Sequence, residues 1–131
     1  MNIIICGAGR VGFTIAKSLS AQDHSITVID QSSDDVQKIN DALDIKGVVG
    51  MGTFPSVLDK ANAKEADMII AVTKSDEVNM LICQIAHSIF KISKKIARIR
   101  SPEYLDTKYI NLYDNINLPI DVIISPEIEV A

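Results

Sequence analysis

The sequence predicts an α/β fold, a doubly wound sheet of about six parallel strands with helices on both faces. Three observations lead there. Short β-branched runs alternate with segments of helical apolar period along the whole length, the order that sandwiches a parallel sheet between helices. The runs are nearly all apolar rather than alternating, as strands covered on both faces require. A glycine-rich turn joins the first run directly to the first helical segment.

Asn2–Cys6 is the first strand, and Arg10–Ser20 the helix after it, with Val11, Ile15, Ala16 and Leu19 on one face. Ser25–Asp30 is a second strand. Ser32 or Ser33 caps the next helix, on which Val36, Ile39 and Leu43 recur at helical spacing. Residues 46–51 form a third strand, and 55–61 a short helix with Pro55 in its first turn. Residues 66–73 form the fourth strand. Ser75 caps a long helix reaching residue 90, with Leu81, Ile82, Ile85, Ala86 and Ile89 expected on its inner face. Residues 95–100 and 120–125 supply the fifth and sixth strands, with a helical turn and a loop between them.

Composition narrows the function classes. A chain of 131 residues, 47% hydrophobic and 23% charged, suits one compact domain with a buried core. No apolar run approaches the ~20 residues of a membrane span. The start, Met1-Asn2-Ile3-Ile4-Ile5, lacks the features of a secretory signal, which points to the cytosol. The net charge of −4 argues against nucleic acid or a general anionic-membrane surface as partner. Cys6 and Cys83 lie in apolar segments and read as small core residues.

Gly7-Ala8-Gly9-Arg10-Val11-Gly12 is a G-x-G-x-x-G, weak alone and strong in context. It follows a strand, opens an amphipathic helix, and precedes Asp30 by 23 residues counted from Gly7, close to the ~20 of a Rossmann fingerprint. Gly7 allows the tight turn, Gly9 lets a pyrophosphate approach the backbone, and Gly12 lets the helix lie close on the strand. The positive helix end then faces the phosphates. Asp30 suits ribose hydroxyls and repels a 2′-phosphate, and Gln31 and its successors supply no arginine to rescue one. NAD(H) is therefore favoured over NADP(H), and ATP or ADP fits the same carboxylate equally well.

Other strand ends belong to the same crevice. Gly50-Met51-Gly52-Thr53 leaves room for an adenine ring, and Thr73-Lys74-Ser75-Asp76-Glu77 is either a polar lining or plain helix capping. Arg10 either neutralises a phosphate or is a solvated helix-start residue. Arg98 and Arg100, on alternate strand positions, share a face, and Arg98 is the stronger phosphate candidate. His24 reads as exposed. Asn79, Cys83 and His87 form a row opposite the inner stripe of the long helix, a partly exposed face without a metal site.

Several blocks together resemble the regulator-of-potassium-conductance (RCK) domains, also called KTN or TrkA-N. They are I-I-I-C-G-A-G-R-V-G (3–12), I-T-V-I-D (26–30), V-V-G-M-G-T-F-P-S-V-L (48–58), A-D-M-I-I-A-V-T-K-S-D-E-V-N-M (66–80), I-A-R-I-R-S-P-E-Y (96–104) and P-I-D-V-I-I-S-P-E (119–127). The first block is common to many Rossmann proteins, and the later ones are far more specific.

The resemblance implies a regulator without catalytic residues that binds NAD(H), or ATP or ADP, and gates a TrkH/TrkG-like integral-membrane potassium transporter subunit. It would be cytoplasmic, peripheral on the inner face of the membrane, and a homo-oligomer, dimer or tetramer, at full length. The residues that carry over are Gly7, Gly9 and Gly12 for the phosphates, with Arg10 and Arg98 as candidates for the same groups, Asp30 for the ribose, and Gly52, Thr53 and Thr73 for the adenosine side, with Val11 and Gln31 also expected at the cofactor. The family continues past a sixth strand, so residues 1–131 are expected to be one N-terminal domain of a longer chain. The competing reading is an NAD-dependent oxidoreductase fragment, for which neither histidine is placed at a strand end.

Overall fold

The computed structural model describes residues 1–125. Strands β1 (Asn2–Cys6), β2 (Ser25–Asp30), β3 (Lys46–Val49), β4 (Met68–Ala71), β5 (Lys94–Arg98) and β6 (Val122–Ile124) form one sheet in the order β3-β2-β1-β4-β5-β6. Every neighbouring pair is parallel. Helices α1 (Arg10–Ser20), α2 (Ser33–Leu43), α3 (Pro55–Lys60), α4 (Asp76–Ser88) and α5 (Pro102–Leu105) fill the connections. This is the expected doubly wound, Rossmann-like sheet. The strand order reverses between β1 and β4, so a crevice opens beyond their carboxyl ends.

Alternation along the strands splits the core in two. Ile3, Ile5, Ile26, Val28, Ile70 and Val72 pack with Ala16 of α1 and Ile39 of α2. Ile4, Cys6, Ile29, Ile69 and Ala71 pack with Leu58 of α3 and with Ile82, Cys83 and Ala86 of α4. Both faces are thus covered, which explains the continuously apolar strands. Ser32 caps α2 by accepting from Asp35 N, and Ser75 caps α4 by accepting from Val78 N. No helix among the described residues is long and apolar enough to cross a membrane.

The structure departs from expectation in particulars. The ladder is shorter than the apolar runs 66–73, 95–100 and 120–125. At the carboxyl ends the backbone leaves its neighbour strand to meet side chains instead: the Thr73 amide donates to Asn79 Oδ1 at 2.9 Å. The inner face of α4 also differs. Ile82 and Ala86 are buried as expected, but Leu81 and Ile89 are 49% and 54% exposed, while Asn79 and Cys83 are fully buried. The Asn79–Cys83–His87 row therefore faces inward through its first two members, with His87 half-buried. Polar demand from the strand ends turns Asn79 into the core, overriding the count of apolar residues. His24 is half-buried rather than exposed, its Nδ1 lying 3.2 Å from the N-terminal ammonium. Of the block 119–127, residues 126 and 127 lie outside the described residues.

At the opposite end of the sheet, Lys95 is a buried lysine. Its ammonium donates to Ile92 O at 2.9 Å and Ser93 O at 3.2 Å and pairs with Asp121 Oδ2 at 3.3 Å. The same carboxylate oxygen accepts from Lys95 N at 2.7 Å, fixing β6 on β5.

Candidate functional site

β1 runs into the glycine turn with no room to spare. Gly7 has φ +119°, and a Cβ there would lie 2.7 Å from Val72 O. Its amide donates to Ile29 O at 2.8 Å, so the turn is pinned between the two neighbouring strands. A Cβ on Gly12 would overlap the carbonyl oxygen of Gly7, so only glycine lets α1 sit this close. Gly9 differs: nothing lies within 4 Å of where its Cβ would be. It is the N-cap of α1, which has no side-chain cap and no acid in its first turn, unlike α2 and α4. The first-turn amides of a helix need acceptors from outside it, and here the space over Gly9 is open to an anion.

Asp30 closes the next corner. Its Oδ2 accepts from Ala8 N and its Oδ1 from Ser32 N, both at 2.8 Å. The half-buried carboxylate therefore fixes the glycine turn and the entry to α2 together. Each oxygen keeps a second lone pair, which is what a pair of ribose hydroxyls needs.

The far wall is built by α4. The Asn79 carboxamide accepts from Thr73 N at 2.9 Å and Thr73 Oγ1 at 2.7 Å, and donates to Thr73 O at 3.2 Å and Arg98 O at 2.8 Å. Asp76, nearly buried, accepts from Arg100 N at 3.0 Å and Ser101 N at 2.8 Å, so it holds the β5–α5 turn rather than merely favouring the helix dipole. Arg100 donates to Lys74 O at 2.7 Å. Tyr104 donates to Glu77 Oε2 at 2.7 Å; that bond holds the Glu77 carboxyl below its ordinary range and raises the Tyr104 hydroxyl.

These walls enclose a cleft of about 700 Å3. Of the expected residues, it brings together Gly7, Gly9, Arg10, Val11, Asp30, Gln31, Gly52, Thr73 and Arg98. Gly12 lies beneath the turn, and Thr53, half-buried beside Gly52, is not on the wall. Arg100 lies past the end of β5 yet lines the same cleft as Arg98. A contiguous cleft of about 690 Å3 shares Lys74, Ser75 and Arg100 and continues to Glu77, Ser101 and Ser125. Cys6 lies on the floor of the main cleft, and burial pushes its thiol far up; burial likewise pushes Cys83 up to about 12. Among the described residues no group of three or more histidine, cysteine or acidic side chains could hold a metal ion.

Sequence reasoning did not find Asn79, which it placed on the outer face, nor the clamp made by Asp76. A lone asparagine one turn after a serine cap, inside an otherwise apolar stretch, is the signal that could have found it.

The TrkA-N domain family model matches residues 3–126. The chain is 48% identical over 131 residues to the Trk system potassium uptake protein TrkA of Azorhizobium caulinodans, covering all of this chain and 29% of that one. It is 48% identical over 127 residues to the protein of the same name from Halomonas elongata, covering 97% of this chain and 27% of that one. It thus spans under a third of the length of these relatives. Among solved structures, the TrkA-N domain of the inner membrane protein ybaL from Escherichia coli superposes with a TM-score of 0.82 at 20% identity, over 98% of this chain and 90% of that one. The GsuK channel bound to NAD gives 0.75 at 22% identity, over 94% of this chain and 21% of that one. GsuK bound to ADP gives 0.75 at 22% identity, over 95% and 31%.

Proposed function

The chain belongs to the TrkA-N domain family, and on that premise we propose that it is a nucleotide-sensing regulatory domain of a Trk-type potassium uptake system. The observation that carries the reading is one cleft in which a glycine turn, open over Gly9, stands with Asp30 and Arg98. That arrangement suits NAD(H), with ATP or ADP as the alternative, and disfavours a 2′-phosphate beside the Asp30 carboxylate. GsuK, which shares the fold, is described bound to NAD and to ADP, in keeping with this range. In this proposal Gly7, Gly9, Arg10, Val11 and Arg98 surround the phosphates, Gly12 packs the turn, Asp30 and Gln31 meet the ribose, Gly52 and Thr53 flank the adenosine, and Thr73, joined to Arg98 through Asn79, goes to the phosphate side rather than to the adenosine.

The domain holds the nucleotide without turning it over, and ligand occupancy biases a homo-oligomeric regulator on the cytoplasmic face of a TrkH/TrkG-like membrane subunit. A nucleotide moves that gate only by its differential affinity for the two states of the assembly. Calorimetric titration with NADH, NAD, ATP, ADP and NADPH tests the reading. Expected is binding of at least one of the first four, lost in Asp30→Ala, with NADPH the weakest. Full retention of every affinity in Asp30→Ala, or oxidation of NADH by a small carbonyl compound, would refute it.

A further inference from the structure

Resting on the reading that this cleft takes an adenine nucleotide, we infer that Asn79 is a positioning residue that sets Thr73 and Arg98 as one unit on the phosphate side. Asn79 is fully buried, yet no part of its amide is spent within α4. Its Oδ1 accepts from Thr73 N and Thr73 Oγ1, and its Nδ2 donates to Thr73 O and Arg98 O. Two donors and two acceptors saturate a carboxamide. The partners are the residue two past the end of β4 and the last residue of β5, and both line the cleft.

β4 and β5 pair only as far as Ala71 and Ala97. Beyond that point no ladder holds Thr73 against Arg98, and Asn79 takes over. A serine at this site would be too short to span the two strand ends. The Thr73 hydroxyl bonds to Asn79 or to Ser75 O, at 2.7 and 3.2 Å. Its task is therefore to complete this bracket, and the ligand meets the bracket as a whole. The side chain of Arg98 leaves a backbone whose carbonyl is fixed from α4, so the point from which it reaches into the cleft is set before any phosphate arrives. Preorganisation of this kind lowers the ordering cost of binding.

The test is a double-mutant cycle in the 131-residue chain, read by calorimetry with ADP and with adenosine, which lacks the phosphates. The expected result for Asn79→Ser is a loss of ADP affinity of roughly tenfold and of adenosine affinity of under about threefold. The roughly tenfold ADP penalty of Arg98→Ala in the parent should shrink to about twofold in the Asn79→Ser background, the non-additivity expected of residues acting as a unit. Additive penalties, or parallel losses for ADP and adenosine, overturn the assignment and leave Asn79 a general support of the fold. Absence of ADP and adenosine binding to the parent would instead overturn the reading of the cleft. Should Asn79→Ser not fold, amide exchange of the parent decides. At matched saturation, ADP should slow the Thr73 amide roughly tenfold more than adenosine does, and equal slowing overturns the proposal.

Discussion

Replacing Gly9 by alanine should separate binding from folding in a single methyl group. Gly9 has φ −77° and ψ −161°, extended backbone that alanine adopts without strain. Nothing lies within 4 Å of the added Cβ, so no neighbour must move. Glycine-to-alanine at a compatible position gains about 0.4–1 kcal/mol through the unfolded chain, and alanine at an N-cap loses a similar amount, so the net change in stability is about zero. The cost falls on the ligand. A methyl here stands where a pyrophosphate must approach the first-turn amides of α1, and loss of one charge-assisted hydrogen bond costs about 1.5–3 kcal/mol. ADP and NADH affinities should therefore fall about 10- to 100-fold, while adenosine binding and the melting temperature stay as in the parent. Calorimetry and thermal unfolding on the same samples read both halves. If Gly9→Ala binds ADP and NADH like the parent, the phosphates do not pass over this turn, and the placement of the ligand is wrong.

Three other substitutions address the frame around the cleft. Gly12→Ala, whose Cβ would overlap the Gly7 carbonyl oxygen, should destabilise by about 3 kcal/mol or more, visible in urea unfolding; a change under about 1 kcal/mol would mean α1 can lift off the turn. Lys95→Ala strands two carbonyls and the Asp121 carboxylate; with Asp121 one-third exposed, water offsets part of the loss, and about 2–3 kcal/mol is expected. Cys83 is raised from 9.0 to about 12, so only the unfolded chain ionises between those values, and stability is present below pH 9 and declines above it. Chemical unfolding at pH 8, 9, 10 and 11 should show a slope shallower by about 1 kcal/mol per pH unit in Cys83→Ala than in the parent, and parallel slopes would contradict this.

The near half of the fold and site was legible because its signals are local. The apolar run of β1, the three glycines and the aspartate ending β2 each carry their own reason within a few residues, and the structure joins them through the Ala8–Asp30 bond. What was not legible depends on groups distant in the chain. Which face α4 buries is set by Thr73 and Arg98, whose backbone groups Asn79 satisfies. Ranking α4 by apolar content therefore put Leu81 and Ile89 inside and left Asn79 outside. The strand ends were overestimated for the same reason. Val72 and Ile99 are apolar and buried, and each makes one last amide bond to a neighbour strand, to Cys6 O and to Ile124 O, so the apolar run reaches past the last paired residues, Ala71 and Arg98.

The position of β1 between β2 and β4 also bears on how the domain is assembled in time. β1 pairs with β2 after one short crossover, Ile3 opposite Ile26, whereas its other neighbour arrives much later in the chain, Ile3 opposite Met68. Contacts close in sequence form at lower entropic cost, so β1, β2 and β3 should condense before β4 and β5 join them. The cleft straddles that seam: the glycine turn and Asp30 lie on the early side, Thr73 and Arg98 on the late one. A nucleotide seated there rivets the two halves, so its release should quicken exchange at the β1–β4 boundary before it is felt within either half.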